Sequence, residues 1–286
     1  MIKIAILGPW WDDAITPLNA YSKQTPGKKG IWKDMVGVTN LDEADYYVIM
    51  QDDSKISKKL PKNKKIFLRR EPDSVISEKK FRKNKGLYLA SYNNEFHFVT
   101  WWVDKTYDQL KVAEMPSKSK NLNTVLSHKT KTNGQKLRTQ FASDFMDKYP
   151  DSIDVYGSYN QSKQGLKTDI HAKPALEKYA CTIDYSYSFA AENSLLDNYF
   201  TEKITDSYLS WAMPIYWGCP NLEEYFPQES FYRIDITDPS AIDKMYEISR
   251  HPLSKNNIDA IRHARHLILE KYNLWPAIYN IIKNKI

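Results

Sequence analysis

The sequence predicts an α/β protein made of two Rossmann-like domains. Short apolar runs recur at intervals of roughly 20–40 residues, with polar connections between them. The 286 residues are enough for two medium-sized domains. A polar stretch at 108–123, rich in Lys and Ser from 116 to 121, is typical of a linker. We therefore place one domain at residues 1–116, together with a C-terminal helix at 273–286, and the other at 117–272.

The first domain begins with the run IKIAIL at 2–7, which predicts a buried parallel strand ending at Gly8-Pro9. Trp10 and Trp11 follow, at the strand end where open α/β sheets bind ligands. They could stack on a sugar ring, or they could pack the loop against the core. No Gly-x-Gly-x-x-Gly motif is present, so a dinucleotide is not indicated. Further strands are predicted at 44–50, 65–68, 87–90 and 96–102.

The second domain repeats the alternation of strands and helices. We predict strands at 124–127, 153–157 and 231–236, and a helix followed by a strand at 176–184. A helix is predicted at 135–148, with Arg138 in its first turn, and further helices at 241–248, 257–272 and 276–286. Loop, helix, strand and turn follow one another at 189–227, where the helix covers 204–212 and the strand 215–217.

The start of that last helix has the residues of an anion site. Thr201 is a plausible N-cap, and Glu202 and Lys203 lie in the first turn. A helix N-terminus has free N–H groups and a positive dipole end, so it suits a diphosphate. Lys203 adds a point charge, and Glu202 could hold sugar hydroxyls. The alternative is an ordinary exposed helix start, since this residue pattern is common.

Composition excludes several classes of protein. The net charge of +6 is mild, and no nucleic-acid recognition motif accompanies the lysine runs, which we interpret as solvated loops and helix faces. Two cysteines, Cys181 and Cys219, favour reduced thiols over a disulfide framework. We find no signal peptide and no run of ~18 apolar residues, so we expect a cytoplasmic protein without a membrane span. His263 and His266 each follow an arginine, and no convincing Asp-x-Asp motif is present, so no metal is expected.

Three motifs in residues 189–227 resemble the donor-binding core of the α-1,3/4-fucosyltransferases, glycosyltransferase family 10. They are Phe189-x-x-Glu192-Asn193-Ser194, Tyr199-Phe200-Thr201-Glu202-Lys203 and Pro214-Ile215-Tyr216-Trp217-Gly218-Cys219-Pro220. The order and the spacing are those of the family. The departures are Ala191, where a Phe often precedes the Glu, and Phe200 in place of Val.

The resemblance implies a GT-B-type enzyme whose two Rossmann-like domains face a cleft. The second domain would bind GDP-fucose, and the first would bind an oligosaccharide or glycolipid acceptor. Transfer would invert the anomeric carbon and need neither metal nor cofactor. Nucleic acid is not an expected partner, the oligomeric state is not indicated, and peripheral association with the inner face of the membrane stays open.

The resemblance also assigns roles to residues. Arg138 and Lys203 would contact the diphosphate, Tyr156 would line the nucleotide pocket, and Tyr199 would cover the donor. Glu202 and Asn193 would position ribose and fucose, with Glu192 also on the donor side. Glu71, in Glu71-Pro72-Asp73, is similar to the family's general base, with Asp73 and Glu95 as competing carboxylates. Trp10, Trp11 and Glu95 are candidates for acceptor binding.

Three alternatives remain open at this point. The donor motif indicates a diphosphate more clearly than it indicates fucose, so the enzyme could use another nucleotide sugar. A carbohydrate-binding protein without catalytic activity could use the same scaffold. A basic nucleic-acid-binding protein is the third alternative, and steep salt dependence of binding would reveal it.

Overall fold

The computed structural model describes residues 1–92, 98–127, 129–157 and 177–286. The chain divides into two compact units. Unit 1 comprises Met1–Val99, Lys105–Ala113 and Ile268–Ile286, and unit 2 comprises Thr100–Asp104 and Glu114–Leu267. Each unit is an open, mainly parallel sheet with helices, which confirms the predicted α/β class.

The sheet of unit 1 has the order β2-β3-β1-β4-β5-β6. All neighbours are parallel except β2 and β3, which form a short antiparallel pair. The strands are β1 (Ile2–Leu7), β2 (Ile31–Trp32), β3 (Met35–Gly37), β4 (Tyr46–Met50), β5 (Lys65–Leu68) and β6 (Tyr88–Ala90). The predicted strands at 2–7, 44–50, 65–68 and 87–90 are confirmed.

The predicted strand at 96–102 is wrong over its described part. Residues 98–102 make a single bridge, between Val99 and Asn273. Val99 and Trp101 are buried, so this run is apolar because it packs in the core and not because it forms a sheet strand. Strands β2 and β3 have only two and three residues and are not marked by any local sequence pattern.

The described residues of unit 1 form four α-helices: α1 (Ile15–Ser22), α2 (Glu78–Phe81), α3 (Tyr107–Val112) and α8 (Leu274–Asn284). Helix α3 lies in the stretch predicted to be a linker, and Thr106 and Gln109 start it with a capping box. Helix α8 is fixed by Trp275, which is fully buried and donates from Nε1 to the Tyr21 carbonyl at 2.9 Å. The C-terminal helix thus belongs to the same unit as the N-terminal strands.

The described part of unit 2 has five parallel strands in the order β11-β10-β9-β7-β8. The strands are β7 (Lys120–Leu126), β8 (Asp154–Gly157), β9 (Tyr185–Ala191), β10 (Met213–Trp217) and β11 (Tyr232–Arg233). The helices are α4 (Asn133–Lys148), α5 (Glu202–Leu209), α6 (Ala241–Arg250) and α7 (Lys255–Leu267). Residues 177–184 form turns, not the helix and strand that the sequence predicted.

Strand order reverses at one place in each sheet, between β7 and β9 in unit 2 and between β1 and β4 in unit 1. At such a point the connections leave the two strands toward opposite faces, so a crevice opens beyond their carboxyl ends. This topology therefore predicts two ligand-binding edges. One lies beyond Leu126 and Ala191, at the ends of β7 and β9, and the other lies beyond Leu7 and Met50, at the ends of β1 and β4.

Two basic side chains, the half-buried Lys118 and the buried Arg265, hold the C-terminal end of α5, the helix that carries Glu202 and Lys203. Lys118 donates from Nζ to the carbonyls of Ile183, at 2.6 Å, and Ser210, at 3.0 Å. Arg265 donates to the carbonyls of Tyr208 and Leu209. The carbonyls of Leu209 and Ser210 lie at the helix end, where backbone acceptors lack intrahelical partners, so these bonds stabilise that end. The helix is thereby fixed at the end opposite the predicted anion site.

The two cysteines, Cys181 and Cys219, are buried and are not paired with each other. Among the residues that the structure describes, no helix has the length and apolar character needed to cross a membrane.

We predict that Lys118 makes stability rise with pH. Burial lowers the pKa of Lys118 to about 7, against 10.5 in the unfolded chain, with Asp184 opposing the shift and Arg265 adding to it. Between these values the unfolded chain binds more protons, so the free energy of unfolding increases with pH. In urea denaturation at several pH values, the advantage of the native protein over Lys118→Met should grow by up to about 1 kcal/mol per pH unit.

The exposed Lys255→Met variant is the matched control and should follow the native protein at every pH. A difference between Lys118→Met and the native protein that stays constant with pH would contradict the assignment.

Candidate functional site

Glu192 follows β9 directly and is fully buried. Its two carboxylate oxygens accept from the Thr201 backbone N–H and the Thr201 hydroxyl, both at 2.7 Å. Lys203 Nζ lies 3.3 Å from the second oxygen. Burial raises the pKa of Glu192, and Lys203 opposes that rise. Because both oxygens are occupied from within the chain, Glu192 serves here to fix the start of α5.

The predicted N-cap is confirmed: the Thr201 hydroxyl accepts from the Lys203 backbone N–H at 3.5 Å. Lys203 Nζ donates to the Thr201 hydroxyl at 2.9 Å and to Glu202 Oε1 at 3.2 Å. Burial works against the Lys203 charge, but Glu192 and Glu202 outweigh it, and the pKa of Lys203 is raised. The ammonium group therefore stays charged at the helix N-terminus, where an anion is favoured.

Arg138 joins this group from α4. The helix begins at Asn133, so Arg138 lies in the second turn and not in the first. Its buried guanidinium donates to the Ala191 carbonyl at 3.1 Å, to Asn193 Oδ1 at 2.9 Å and to Ser127 Oγ at 3.3 Å. Its Nε–H is buried and has no acceptor among the described residues. Arg138 thus connects the ends of β7 and β9 across the reversal of strand order.

Two glycines allow this close packing. A Cβ atom on Gly134, near the start of α4, would lie 2.4 Å from the Asn193 carbonyl oxygen. A Cβ atom on Gly218, after β10, would lie 2.6 Å from Glu192 Cγ. Neither distance is possible for real atoms, so the two glycines let the α4 N-terminus and the β10 end close on the motif after β9.

A small cavity of about 40 Å³ lies beside the group, lined in part by Arg138, Lys203, Lys178 and Asp206. Asp206 is buried and accepts from the Trp102 backbone N–H at 2.9 Å and from Lys178 Nζ at 3.1 Å. Sequence reasoning missed Lys178 and Asp206, since one lies in a turn and the other looks like any acidic residue of a helix.

Tyr199 lies near these residues, but Tyr156 does not join them. Tyr199 is buried just before α5 and acts electrostatically on Arg138. The Tyr156 hydroxyl bonds that of Tyr185 at 2.8 Å. Tyr185 pairs with Lys120 at the first residue of each strand, so the Tyr156 side chain is directed toward the amino edge of the sheet. A contact between Tyr156 and the nucleotide therefore stays a prediction, because the described contacts of Tyr156 do not connect it to Arg138 or Lys203.

In unit 1, Glu71 follows the carboxyl end of β5. Gln51, which sequence reasoning missed, accepts at Oε1 from the backbone N–H groups of Arg70, at 2.7 Å, and Glu71, at 3.0 Å. The Glu71 carboxylate itself has no recorded partner in the part of the chain that the structure describes. Gln51 therefore fixes the Glu71 backbone while the carboxylate stays available.

The competing carboxylates differ from Glu71. Asp73 pairs with Arg69 and accepts from the Tyr92 hydroxyl at 3.1 Å. The hydrogen bond from Arg69 lowers the pKa of Asp73, so a proton is held less readily there. Glu95 lies outside the described residues.

Trp10 and Trp11 follow β1 at the same sheet edge as Glu71. Trp10 is 52% exposed, and its ring meets that of Trp11 edge to face at 5.5 Å between centroids. The Arg70 guanidinium lies 5.9 Å from the Trp10 ring centroid. Trp11 in turn contacts Tyr21 edge to face. Trp11 thus supports Trp10, and the ring of Trp10 offers an exposed aromatic surface of the kind that stacks on sugars.

The described residues contain no group of three His, Cys, Asp or Glu side chains placed to hold a metal ion. Arg138, Lys203 and the N-terminus of α5 supply positive charge at the carboxyl edge of the unit 2 sheet.

Solved structures share this fold. An α1,3-fucosyltransferase aligns over 100% of this chain and 91% of its own, with a TM-score of 0.50 and 14% identity. The DNA-modifying enzyme β-glucosyltransferase aligns over 98% of both chains, with a TM-score of 0.57 and 10% identity. At these identities the likeness concerns the fold alone, and it defines a GT-B-type glycosyltransferase fold.

The model of glycosyltransferase family 10 (fucosyltransferase), C-terminal part, matches residues 115–257, which is half of the chain. The chain belongs to this family. It is 40% identical over 50 residues to the α-(1,3)-fucosyltransferase FucT of Helicobacter pylori, and 31% identical over 83 residues to a putative fucosyltransferase-like protein of Arabidopsis thaliana. These alignments cover 18% and 29% of this chain, and only 10% and 14% of the relatives.

We predict that Glu192→Gln destabilises unit 2 although the shape of the side chain is kept. The change removes one charge of a buried ion pair and leaves Lys203 less well compensated, which costs about 3 kcal/mol. Urea denaturation measures this loss. Glu223, whose ion pair with Arg233 is partly exposed, is the matched control, and Glu223→Gln should cost less than about 1 kcal/mol. Equal losses in both variants would show that Glu192 is not an anchor.

Proposed function

We propose that the protein transfers L-fucose from GDP-β-L-fucose to a hydroxyl group of an acceptor glycan, with inversion at the anomeric carbon and without a metal ion. Membership of glycosyltransferase family 10 supports fucose as the sugar. The observation that carries the proposal is the meeting of Arg138, Asn193, Glu202 and Lys203 where strand order reverses in unit 2.

The donor would bind there through its diphosphate. Arg138 and Lys203 carry fixed positive charges, and the first turn of α5 presents N–H groups beside them. The Arg138 Nε–H, which has no acceptor in the described chain, is available to a ligand or to water. Glu202, partly exposed at the same helix start, has the acceptor oxygens that ribose hydroxyls need. Asn193, oriented by Arg138, would contact the sugar.

The chemical step needs a base and a stabilised leaving group. Glu71 would take the proton of the acceptor hydroxyl as that oxygen attacks C1 of fucose. The bond between C1 and the phosphate oxygen breaks, and the leaving GDP carries the electron pair. Arg138, Lys203 and the α5 amides would stabilise the charge that develops on it. Trp10 and Trp11 would stack on the acceptor at the edge of unit 1 that carries Glu71.

Incubation with GDP-fucose, GDP-mannose and UDP-glucose, each with lactose- and N-acetyllactosamine-type acceptors, tests the proposal. We expect an α-linked fucoside from GDP-fucose alone, formed equally well in EDTA, and mass and linkage analysis would identify it. Transfer from another donor, or a strict need for Mn²⁺, would contradict the proposed reaction.

We predict that Glu71→Gln lowers kcat at least about 100-fold, because an amide cannot accept the acceptor proton. GDP binding should stay within a few-fold of the native value, since the donor contacts lie in unit 2. Steady-state kinetics and calorimetry separate the two effects. Asp73→Asn is the control variant and should keep kcat within a few-fold. If Asp73→Asn loses turnover and Glu71→Gln keeps it, the base has been placed wrongly.

A further inference from the structure

The positive charge of the chain is concentrated in one short segment of unit 1. Residues 53–86 contain 13 Lys and Arg against 4 Asp and Glu, a balance of +9, whereas the whole chain carries +6. The other residues together therefore carry −3. Such an uneven distribution creates a positive field over one part of the surface.

Three of the four carboxylates of this segment pair with buried cations. The buried Arg69 pairs with Asp73 and Glu78, and the buried Lys65 pairs with Asp53 at 3.1 Å. The fourth carboxylate, Glu71, lies at the carboxyl end of β5. Consequently, eight exposed lysines have no ion-pair partner among the described residues: Lys55, Lys58, Lys59, Lys62, Lys79, Lys80, Lys83 and Lys85.

Topology brings several of these lysines to one edge of the sheet. Residues 61–64 lead into β5 and residues 82–87 lead into β6, and the two strands are parallel neighbours. The Leu87 N–H donates to the Lys65 carbonyl at 2.8 Å, which aligns the two starts. Helix α2, with Lys79 and Lys80, directly precedes the second start. We define the β5–β6 basic surface as Lys62, Lys79, Lys80, Lys83 and Lys85.

Helix α2 begins at the carboxyl ends of β5 and β6, where Glu78 accepts from Arg69 and Ser91. The surface therefore extends along the crossover from that end of the strands to the amino edge. Asp42, Glu43 and Asp45 precede β4, the strand that neighbours β5.

The composition of the segment favours a lipid partner over a nucleic acid. Its two aromatic residues, Phe67 and Phe81, are both buried, so no ring is available to stack on bases. Its unpaired exposed charges are all lysines, which act as point charges without the forked geometry of arginine. Val75, 56% exposed, and Leu87, 41% exposed, are apolar residues that flank the lysines of 79–85 in sequence. Charge combined with exposed aliphatic groups matches the interface of an anionic bilayer.

We propose that the β5–β6 basic surface docks on anionic phospholipid membranes. Each lysine near such a surface contributes about 1 kcal/mol of attraction, and the attraction falls as salt screens it. Four or five lysines are thus enough for reversible binding. Acceptor glycans carried on lipids would then meet the protein at the membrane.

Vesicle sedimentation tests the proposal, with vesicles of phosphatidylcholine alone and of phosphatidylcholine mixed with phosphatidylserine. We expect binding only to the mixed vesicles, with affinity falling as salt rises. Replacing Lys79, Lys80, Lys83 and Lys85 by Gln should weaken it at least about tenfold. The control replaces the exposed Lys28, Lys29, Lys255 and Lys285 by Gln, which removes the same charge, and should change affinity less than about threefold.

Unchanged melting temperatures would show that both variants fold. Equal binding to the two kinds of vesicle, or equal losses in the two variants, would overturn the proposal. So would tighter binding to RNA than to the mixed vesicles, lost in the first variant alone. Since the assay contains no sugar donor, its failure is separate from any failure of the fucosyltransferase proposal.

Discussion

The proposed donor site depends on one buried carboxylate. Glu192 uses both oxygens to hold Thr201 and Lys203 at the start of α5. The carboxylate is costly to bury alone, and its partners stay ordered because they satisfy it. The free N–H groups of the helix and the Lys203 ammonium group are thereby fixed before any ligand arrives. Preorganised charge of this kind acts on a leaving group without first having to reorient.

The sheet supplies the rest of the arrangement. Reversal of strand order between β7 and β9 opens a crevice, and Arg138 spans it with bonds to Ser127, Ala191 and Asn193. Gly134 and Gly218 permit the approach of α4 and β10 to the motif after β9. Lys118 and Arg265 hold the far end of α5. Fold and proposed chemistry are connected because the segments that pack together at this edge of the sheet also carry the charged side chains.

Much of this was predictable from local sequence. Buried parallel strands are short and continuously apolar, so most of β1, β4, β5 and β10 could be found from composition alone. Thr201 and Lys203 were identified because a helix start has its own residue preferences. The family motifs indicate Glu192 and Asn193 as site residues. Motif spacing alone cannot show that both Glu192 oxygens accept hydrogen bonds from within the chain.

Other features depend on contacts distant in sequence. Gln51 reaches Glu71 across 20 residues, and Asp206 reaches Trp102 across 104, so no local pattern could reveal either pair. Residues 98–102 are apolar enough for a strand, but they are apolar because they pack in the core. Hydrophobic periodicity cannot distinguish these two cases. The direction of the Tyr156 side chain depends on two contacts between distant segments. Strand β8 pairs with β7, and the Tyr156 hydroxyl bonds the hydroxyl of Tyr185 on β9.

The most direct test of the proposed donor site is calorimetric titration with GDP and with guanosine. If the start of α5 with Arg138 and Lys203 binds the diphosphate, GDP should bind at least about 100-fold more tightly than guanosine. Lys203→Met and Arg138→Met should each remove most of that difference. Equal affinity for GDP and guanosine, or GDP binding unchanged in both variants, would contradict the proposed site.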